Sequence, residues 1–423
     1  MSSAAPRAGV DLESARSDYD ALVARGMTLN LTRGKPSDAQ IDLAAPMLDM
    51  PGADFYAADG TDTRNYYGSP QGLPELRAIF SEPLQVPVPQ LIAAGNSSLE
   101  LMHDTLVHAM LSPLPGARGR WVDEPRVAFL APVPGYDRHF TLSERLGIEL
   151  IPVPMTPDGP DLDVVRGLVA EDPSVKGIWC VPQYSNPDGT VYSDETVRAL
   201  ASMPTAAADF RIMWDNAYAV HHLTDTPARI ADVLALAAEA GHADRPFVFG
   251  SSSKITFGGG GVAFLGASRA NVDWWLRLTS ARTIGPDKIN HLRHARFLRS
   301  ADGLAEHMRR HREVAAPKFA AVQRVLTENF AATPGVSWSD PAGGYFVTLT
   351  VPDGLASEVV RLAKAAGLAL TPAGATHPYG KDPQDATIRL APTFPVLEEV
   401  EAAIAGVAVC LRLALASTEA AGR

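Results

Sequence analysis

The sequence predicts an α/β protein: a large domain on a doubly wound, mostly parallel sheet, plus a smaller α/β domain. Three observations carry the prediction. Apolar runs of strand length recur at 126–131, 149–153, 176–181, 211–215, 246–250 and 262–266, and helix-period segments at 161–170 and 196–203 fall among them, the alternation of a parallel sheet with crossover helices. Several of these runs end in polar residues, as strands do when their carboxyl ends open onto a site. A chain of 423 residues is also long enough for two domains.

The elements follow in order. Asp11 to Arg25 places Leu12, Tyr19, Leu22 and Val23 roughly on one helical face. Residues 28–60 are rich in Pro, Gly and Asp and read as an extended arm and loop. Leu73, Leu76 and Ile79 have helical spacing between Gly72 and Phe80. Leu91–Ala94 reads as a short buried strand and Ser98–Leu111 as the helix after it. A charged helical stretch, Ala301–Phe330, leads to the smaller domain, with a strand at Gly344–Leu349, a helix at Ala356–Ala366 and a last helix from Val396. The apolar stretch near Ala402–Ala416 is broken by Arg412 and is too short to span a bilayer, so it reads as a packed C-terminal helix. No internal repeat or low-complexity segment stands out.

Composition narrows the class. Hydrophobic content of 46% and charged content of 20% suit a soluble globule. A net charge of -11 argues against a nucleic-acid partner, which usually meets a basic excess. Cys180 and Cys410, the two cysteines, lie in apolar runs and read as buried free thiols, which suits a reducing cytoplasm. The start, Met1-Ser2-Ser3-Ala4-Ala5-Pro6, lacks the apolar core of a signal peptide. The expectation is a cytoplasmic protein with no metal, membrane or nucleic-acid site.

The chemical reading turns on Lys254. It stands in Ser251-Ser252-Ser253-Lys254-Ile255-Thr256-Phe257, after the apolar run Pro246–Gly250 and before Gly258-Gly259-Gly260-Gly261. A partly desolvated lysine can be neutral and nucleophilic near neutral pH, as a Schiff-base lysine must be, and hydroxyls beside it suit a phosphate. Alone, the motif is equally an ordinary loop lysine. Other segments add to it. Ser185-Asn186-Pro187-Asp188-Gly189-Thr190 follows one apolar run, although in isolation it reads as a plain turn. Ile212-Met213-Trp214-Asp215-Asn216-Ala217-Tyr218 ends another, and Arg389 lies in Ile388-Arg389-Leu390-Ala391-Pro392. Asn186, Asp215, Tyr218, Lys254 and Arg389, in that order, fit one site at the carboxyl edge of the sheet. Gly95-Asn96-Ser97-Ser98 opens a helix, where free amides suit an anion.

This ordered set resembles the class I, fold-type I pyridoxal-phosphate-dependent aminotransferases over about residues 28–410. Leu31-Thr32-Arg33-Gly34-Lys35-Pro36, Asn65-Tyr66-Tyr67-Gly68, Pro132-Val133-Pro134-Gly135-Tyr136-Asp137-Arg138-His139 and Ser252-Ser253-Lys254-Ile255-Thr256-Phe257 together look like the bacterial aspartate aminotransferases of subgroup Ic. The resemblance implies a fold-type I PLP-dependent transferase: 1–48 as N-terminal arm and part of the small domain, 49–312 as the large PLP-binding domain, and 313–423 as the C-terminal small domain. It implies pyridoxal 5'-phosphate held by Lys254, which then acts as base at the substrate's α-carbon. Asp215 would face the ring nitrogen, Tyr218 and Asn186 the ring hydroxyl, and Tyr136 the ring face. Gly95, Asn96, Ser97, Ser251 and Ser253 would hold the phosphate, Ser251 the better placed of those two serines, with Tyr67 reaching the phosphate of the neighbouring subunit in a homodimer. Gly34, Asn186 and Arg389 would bind substrate, Arg389 by a bidentate match to the α-carboxylate.

One departure matters. Many class I enzymes carry a phosphate-pairing arginine eight residues after the lysine, where this chain has Val262. Arg282 or Lys288 could replace it. The distal carboxylate of an acidic substrate could meet Arg33, Lys35, Arg282, Lys288 or Arg293. The favoured activity is amino transfer from aspartate to 2-oxoglutarate, giving oxaloacetate and glutamate by a ping-pong route. Alternatives are a transaminase for aromatic, aminoadipate-like or alanine substrates, a β-lyase on the same scaffold, and, least favoured, a non-catalytic regulator module. Only some sixty residues precede the first cofactor-site motif, and they are not basic.

Overall fold

A computed structural model describes residues 11–421; the segment Met1–Pro6 lies outside them. Its thirteen strands are β1 (Leu29–Asn30), β2 (Leu91–Ala93), β3 (Ala128–Val133), β4 (Glu149–Thr156), β5 (Gly159–Pro160), β6 (Val175–Cys180), β7 (Arg211–Asp215), β8 (Pro246–Ser251), β9 (Ala263–Ala267), β10 (Ser337–Trp338), β11 (Val347–Thr350), β12 (Leu368–Ala369) and β13 (Thr387–Leu390). Every residue of β2, β6, β7 and β9 is buried. A strand buried on both faces has to sit inside a covered sheet, and these do. The large sheet runs β2-β9-β8-β7-β6-β3-β4-β5. Its centre, β4-β3-β6-β7-β8, is parallel, and antiparallel pairs close both edges.

Side-chain alternation sorts residues between the two faces. Ile178, Cys180, Ile212, Trp214 and Val248 enter one core. Trp179, Met213, Phe247 and Phe249, their neighbours in sequence, enter another. Both faces are therefore apolar, and the polar residues that follow the strand ends gather at one edge.

A further core joins residues from Ala15 to Leu31 with residues from Phe319 to Ala416. It packs a three-stranded sheet, β10-β11-β13, and a two-stranded one, β1-β12. The helix Ala301–Phe330 serves both regions. Leu304 and Met308 lie in the first core, Phe319, Val322, Val325 and Leu326 in this one, and Pro317 falls between the two sets. The C-terminal helix runs Leu397–Ala421. It is long and apolar enough to cross a membrane, yet Val400, Ile404, Val407, Leu411 and Ala414 are buried against the same core. The expected packed helix is present and longer than the apolar stretch. Cys180 and Cys410 are free and buried.

The structure corrects the reading in places. Residues 28–60 are not all extended: they hold β1, a helix at Asp38–Asp42 and a tight turn of helix at Ala45–Asp49. Helices at Asp137–Arg145, Val233–Glu239, Arg269–Thr279 and Lys288–Leu298 were not anticipated. Asp137–Arg145, Arg269–Thr279 and Lys288–Leu298 carry several charged residues, and Val233–Glu239 is a run of seven, six of them apolar, too short to show a period, so tertiary packing rather than periodicity fixes them.

The arm docks through a close backbone approach. Leu29 N–H donates to the Gly367 carbonyl at 3.0 Å, and Gly367 has a left-handed φ of 81°. A Cβ there would collide with the Met27 carbonyl. Gly367→Ala should therefore cost about 2 kcal/mol or more, strain and lost docking together. Gly26→Ala, also at positive φ but with open space around it, should cost about 1 kcal/mol. Urea unfolding of both variants checks the difference, and equal losses would remove the docking argument.

Candidate active site

Asp215 is the last residue of β7 and is 3% exposed. A carboxylate buried this deeply needs partners. His139 supplies one: its Nε2 lies 3.0 Å from Asp215 Oδ2. The imidazole is fixed by stacking on Trp179, ring centroids 4.2 Å apart and planes 8° apart. The second oxygen, Oδ1, is buried and has no hydrogen-bond partner among the described residues.

Lys254 lies in the turn after β8. Ile255 and Thr256 N–H both donate to the Ser252 carbonyl at 2.9 Å, which folds the turn tightly. Ser252, fully buried, accepts from Val262 N–H at 2.8 Å and touches His294. From behind, Tyr345 Oη donates to the Lys254 carbonyl at 3.2 Å, and His307 Nε2 stands 2.7 Å from the Ile255 carbonyl. The lysine amine stands 5.2 Å from the Tyr218 ring centroid. Burial pushes its proton affinity below the usual lysine range, and the Asp215 charge opposes that push. Burial raises the Tyr218 phenol well above its ordinary value and moves Tyr136 up to about 12, so both keep their protons near neutrality.

One cavity of about 500 Å³ collects these groups. Of the predicted site residues, Gly34, Tyr136, Asn186, Asp215, Tyr218, Lys254 and Arg389 line it. Gly95, Asn96, Ser97, Ser251 and Ser253 do not line it. They form a seam where Ser253 Oγ donates to the Asn96 carbonyl at 3.0 Å and Asn96 Nδ2 donates to the Gly259 carbonyl at 3.1 Å. Ser97 caps the helix Ser98–Leu111, accepting from Glu100 N–H, and Ser98, Leu99 and Met102 of that helix reach the cavity. Tyr67 is outside the cavity and 80% exposed.

Arg389 requires a correction. It does not sit at the carboxyl edge of the large sheet but within β13 of the separate three-stranded sheet. The cavity is therefore roofed from a second sheet. Arg389 Nη1 donates to Asp137 Oδ1 at 2.9 Å and to Asn186 Oδ1 at 3.3 Å, over the Phe346 ring.

The cation candidates separate clearly. Arg282 is paired with Glu100 and Asp104. Lys288 Nζ donates to the Tyr66 carbonyl and Arg293 Nε to the Met50 carbonyl. The Lys35 amine lies 3.4 Å over the Phe394 ring. Arg33 alone of the five lines the cavity, joined by Arg138, which the sequence reading missed. His139 and Asp137 were missed with it, although all three follow Tyr136 directly. Val262 turns into the core, its backbone bonded to Ser252.

The donor set suits pyridoxal 5'-phosphate. The orphaned Asp215 Oδ1 can accept from a protonated ring nitrogen, the Lys254 amine is desolvated, and protonated phenols flank the space. Free amides at a helix start and the serines beside them suit a phosphate.

Comparison with known proteins agrees with this chemistry. The family model for aspartate amino-transferase matches residues 2–423. A Mycolicibacterium smegmatis protein named only as an aminotransferase is 56% identical over 95% of this chain and 94% of its own. The aspartate aminotransferase of Corynebacterium glutamicum is 45% identical over 97% of this chain and 95% of its own. A crystal structure of an aspartate transaminase from that organism superposes with a TM-score of 0.94 at 45% identity, covering 96% of each chain.

The opposing pulls on Lys254 yield a signed expectation. Removing the Asp215 charge removes the influence that holds the amine protonated. In Asp215→Asn the pH midpoint for acylation of Lys254, followed by peptide mass spectrometry on cofactor-free protein, should fall. A midpoint that rises or stays would show that the two groups are not coupled.

Proposed function

Because this chain belongs to the aspartate aminotransferase family, we propose that it moves an amino group from aspartate to 2-oxoglutarate, with pyridoxal 5'-phosphate in the cavity beneath Arg389. The observation that carries the substrate assignment is the meeting of three arginines, Arg33, Arg138 and Arg389, around one cavity that also holds Lys254. Neither Arg33 nor Arg138 takes part in an ion pair among the described residues, so both remain available to a second carboxylate. A monocarboxylic substrate would leave that charge unused.

When bound, the cofactor supplies an electrophilic carbon and an electron-withdrawing ring. The chain's own residues would do the rest. Lys254 holds the cofactor, then takes and returns the proton at the substrate's α-carbon. Asp215 accepts from the ring nitrogen through Oδ1 and keeps it protonated, while His139 donates to Oδ2 and holds the carboxylate in place. Tyr218 and Asn186 bond the ring hydroxyl, and Tyr136 covers a ring face. The amides of Gly95–Ser97 and the Ser251 hydroxyl receive the phosphate, since Ser253 Oγ already donates to Asn96 and position 262 offers no cation. Arg389, with Asn186 and the Gly34 backbone beside it, receives the α-carboxylate, and Arg33 or Arg138 the distal one.

We read the working unit as a homodimer. Tyr67 and Tyr66 are 80% and 74% exposed on one surface loop, a poor use of aromatic area unless another surface covers it. Mixing Lys254→Ala subunits with Tyr67→Ala subunits should give heterodimers more active than either parent. No recovery in confirmed heterodimers would rule out a shared site.

Substrate class is checked by half-reactions followed through the cofactor's absorbance. Aspartate and glutamate should react far faster than alanine or phenylalanine, and the reverse order would favour the other transaminases. Arg389→Ala should lower catalytic efficiency roughly 30-fold or more for every amino acid, since all carry the α-carboxylate. Replacing Arg33 and Arg138 together by Ala should cost aspartate and glutamate about tenfold or more and spare alanine.

A further inference from the structure

We propose that Asp137 is an internal stand-in for the substrate's carboxylate: it occupies the Arg389 fork, must yield it when substrate arrives, and thereby sets the affinity for carboxylates. The inference rests on reading Arg389 as the α-carboxylate site and adds a residue that tunes it.

The geometry of the fork carries the argument. Arg389 is buried, its side chain 6% exposed, whereas that of Asp137 is 34% exposed. Arg389 Nε is buried without a partner and closed to anything entering from the cavity. A carboxylate arriving there has to use the Nη1 and Nη2 edge for a bidentate contact. Nη1 is the nitrogen that Asp137 Oδ1 holds at 2.9 Å. Nη1 has two N–H groups and both are engaged, one by Asp137 Oδ1 and one by Asn186 Oδ1, so a carboxylate that uses this nitrogen displaces the competing anion, and binding includes the cost of parting Asp137 from Arg389.

Asp137 also has somewhere to go. It is the first residue of the helix Asp137–Arg145, whose N-cap, Tyr136, provides no side-chain bond to the first turn. A carboxylate at that position is favoured by the unsatisfied amides and the helix dipole. A change of rotamer moves it from the guanidinium towards its own helix start or solvent. Asn186, the other group on Nη1, is neutral and can stay. The device keeps a buried arginine paired at all times and lowers the affinity for any stray carboxylate, a tax of the kind paid whenever the binding-competent arrangement is one of two.

The test measures binding of succinate to the holoenzyme by calorimetry, in wild type, Asp137→Asn, Asp137→Ser, Asp137→Glu and Arg389→Ala. Removing the competing charge should tighten succinate roughly 3- to 10-fold in the Asn and Ser variants, and KM for aspartate should fall with it. Asp137→Glu, which keeps the charge, should stay near wild type. Unchanged or weaker binding in the Asn and Ser variants overturns the proposal and makes Asp137 a support that holds Arg389 in place. If Arg389→Ala leaves succinate binding as tight as in wild type, the α-carboxylate reading of Arg389 itself fails, and the inference fails with it.

Discussion

A carboxylate at the end of a central strand, sealed from water, has to be balanced, and Asp215 is balanced on one oxygen only. Leaving such a group without partners costs several kcal/mol, so the surroundings are arranged around it. His139 is pinned flat on Trp179 and offers one nitrogen. The other oxygen faces the space that Lys254, Tyr218 and Asn186 also face. The same charge tempers the desolvation of Lys254. The Asp215 charge thus opposes part of the effect of burial on the lysine, and the ring of a bound cofactor would give its second oxygen a partner.

The loop carrying the lysine is organised by hydrogen bonds among neutral groups. Ser252 ties the turn to Val262 on one side and His294 on the other, and His294, pushed down to about 4 by burial, stays neutral and can accept from Thr256. Neutral groups can be buried cheaply when each is paired. An arginine at 262 would instead have to extend from a fully buried position on a strand leading into β9. In the proposed mode of binding, the phosphate would meet backbone amides and hydroxyls at the seam between Asn96 and Gly259.

Much of this was legible in the sequence. The central strands match the expected runs within a residue or two, except β4, which extends three residues further, because a short uninterrupted apolar run between polar ends is the pattern of a strand covered on both faces. Asp215, Tyr218 and Lys254 followed from the polar ends of those runs. The residues that were missed share a cause. Asp137, Arg138 and His139 lie in a helix whose apolar side is little more than Phe140 and Leu142, so no periodicity marks it, and Tyr136 is singled out there by the resemblance alone. Arg389 was found, but a four-residue strand carries no signal of which sheet it joins. The five-way choice of distal cation could not be narrowed without knowing that Arg282, Lys288 and Arg293 were already engaged.

The seam between Asn96 and the lysine loop joins residues 157 and 163 positions apart, and the Arg389 pair closes over 252. Contacts of such long range form late, after loop-closure entropy has been overcome. No partial assembly of this chain can present both the Asn96 seam and the Arg389 pair. Affinity for a cofactor and substrate that use both, as proposed, would be a property of the finished fold alone. A ligand that binds only the native state stabilises it in proportion to the logarithm of its concentration over its dissociation constant. A cofactor bound as proposed would then act as a quality check on the chain: loaded molecules would resist unfolding, while incompletely folded ones would gain nothing and stay open to proteolysis.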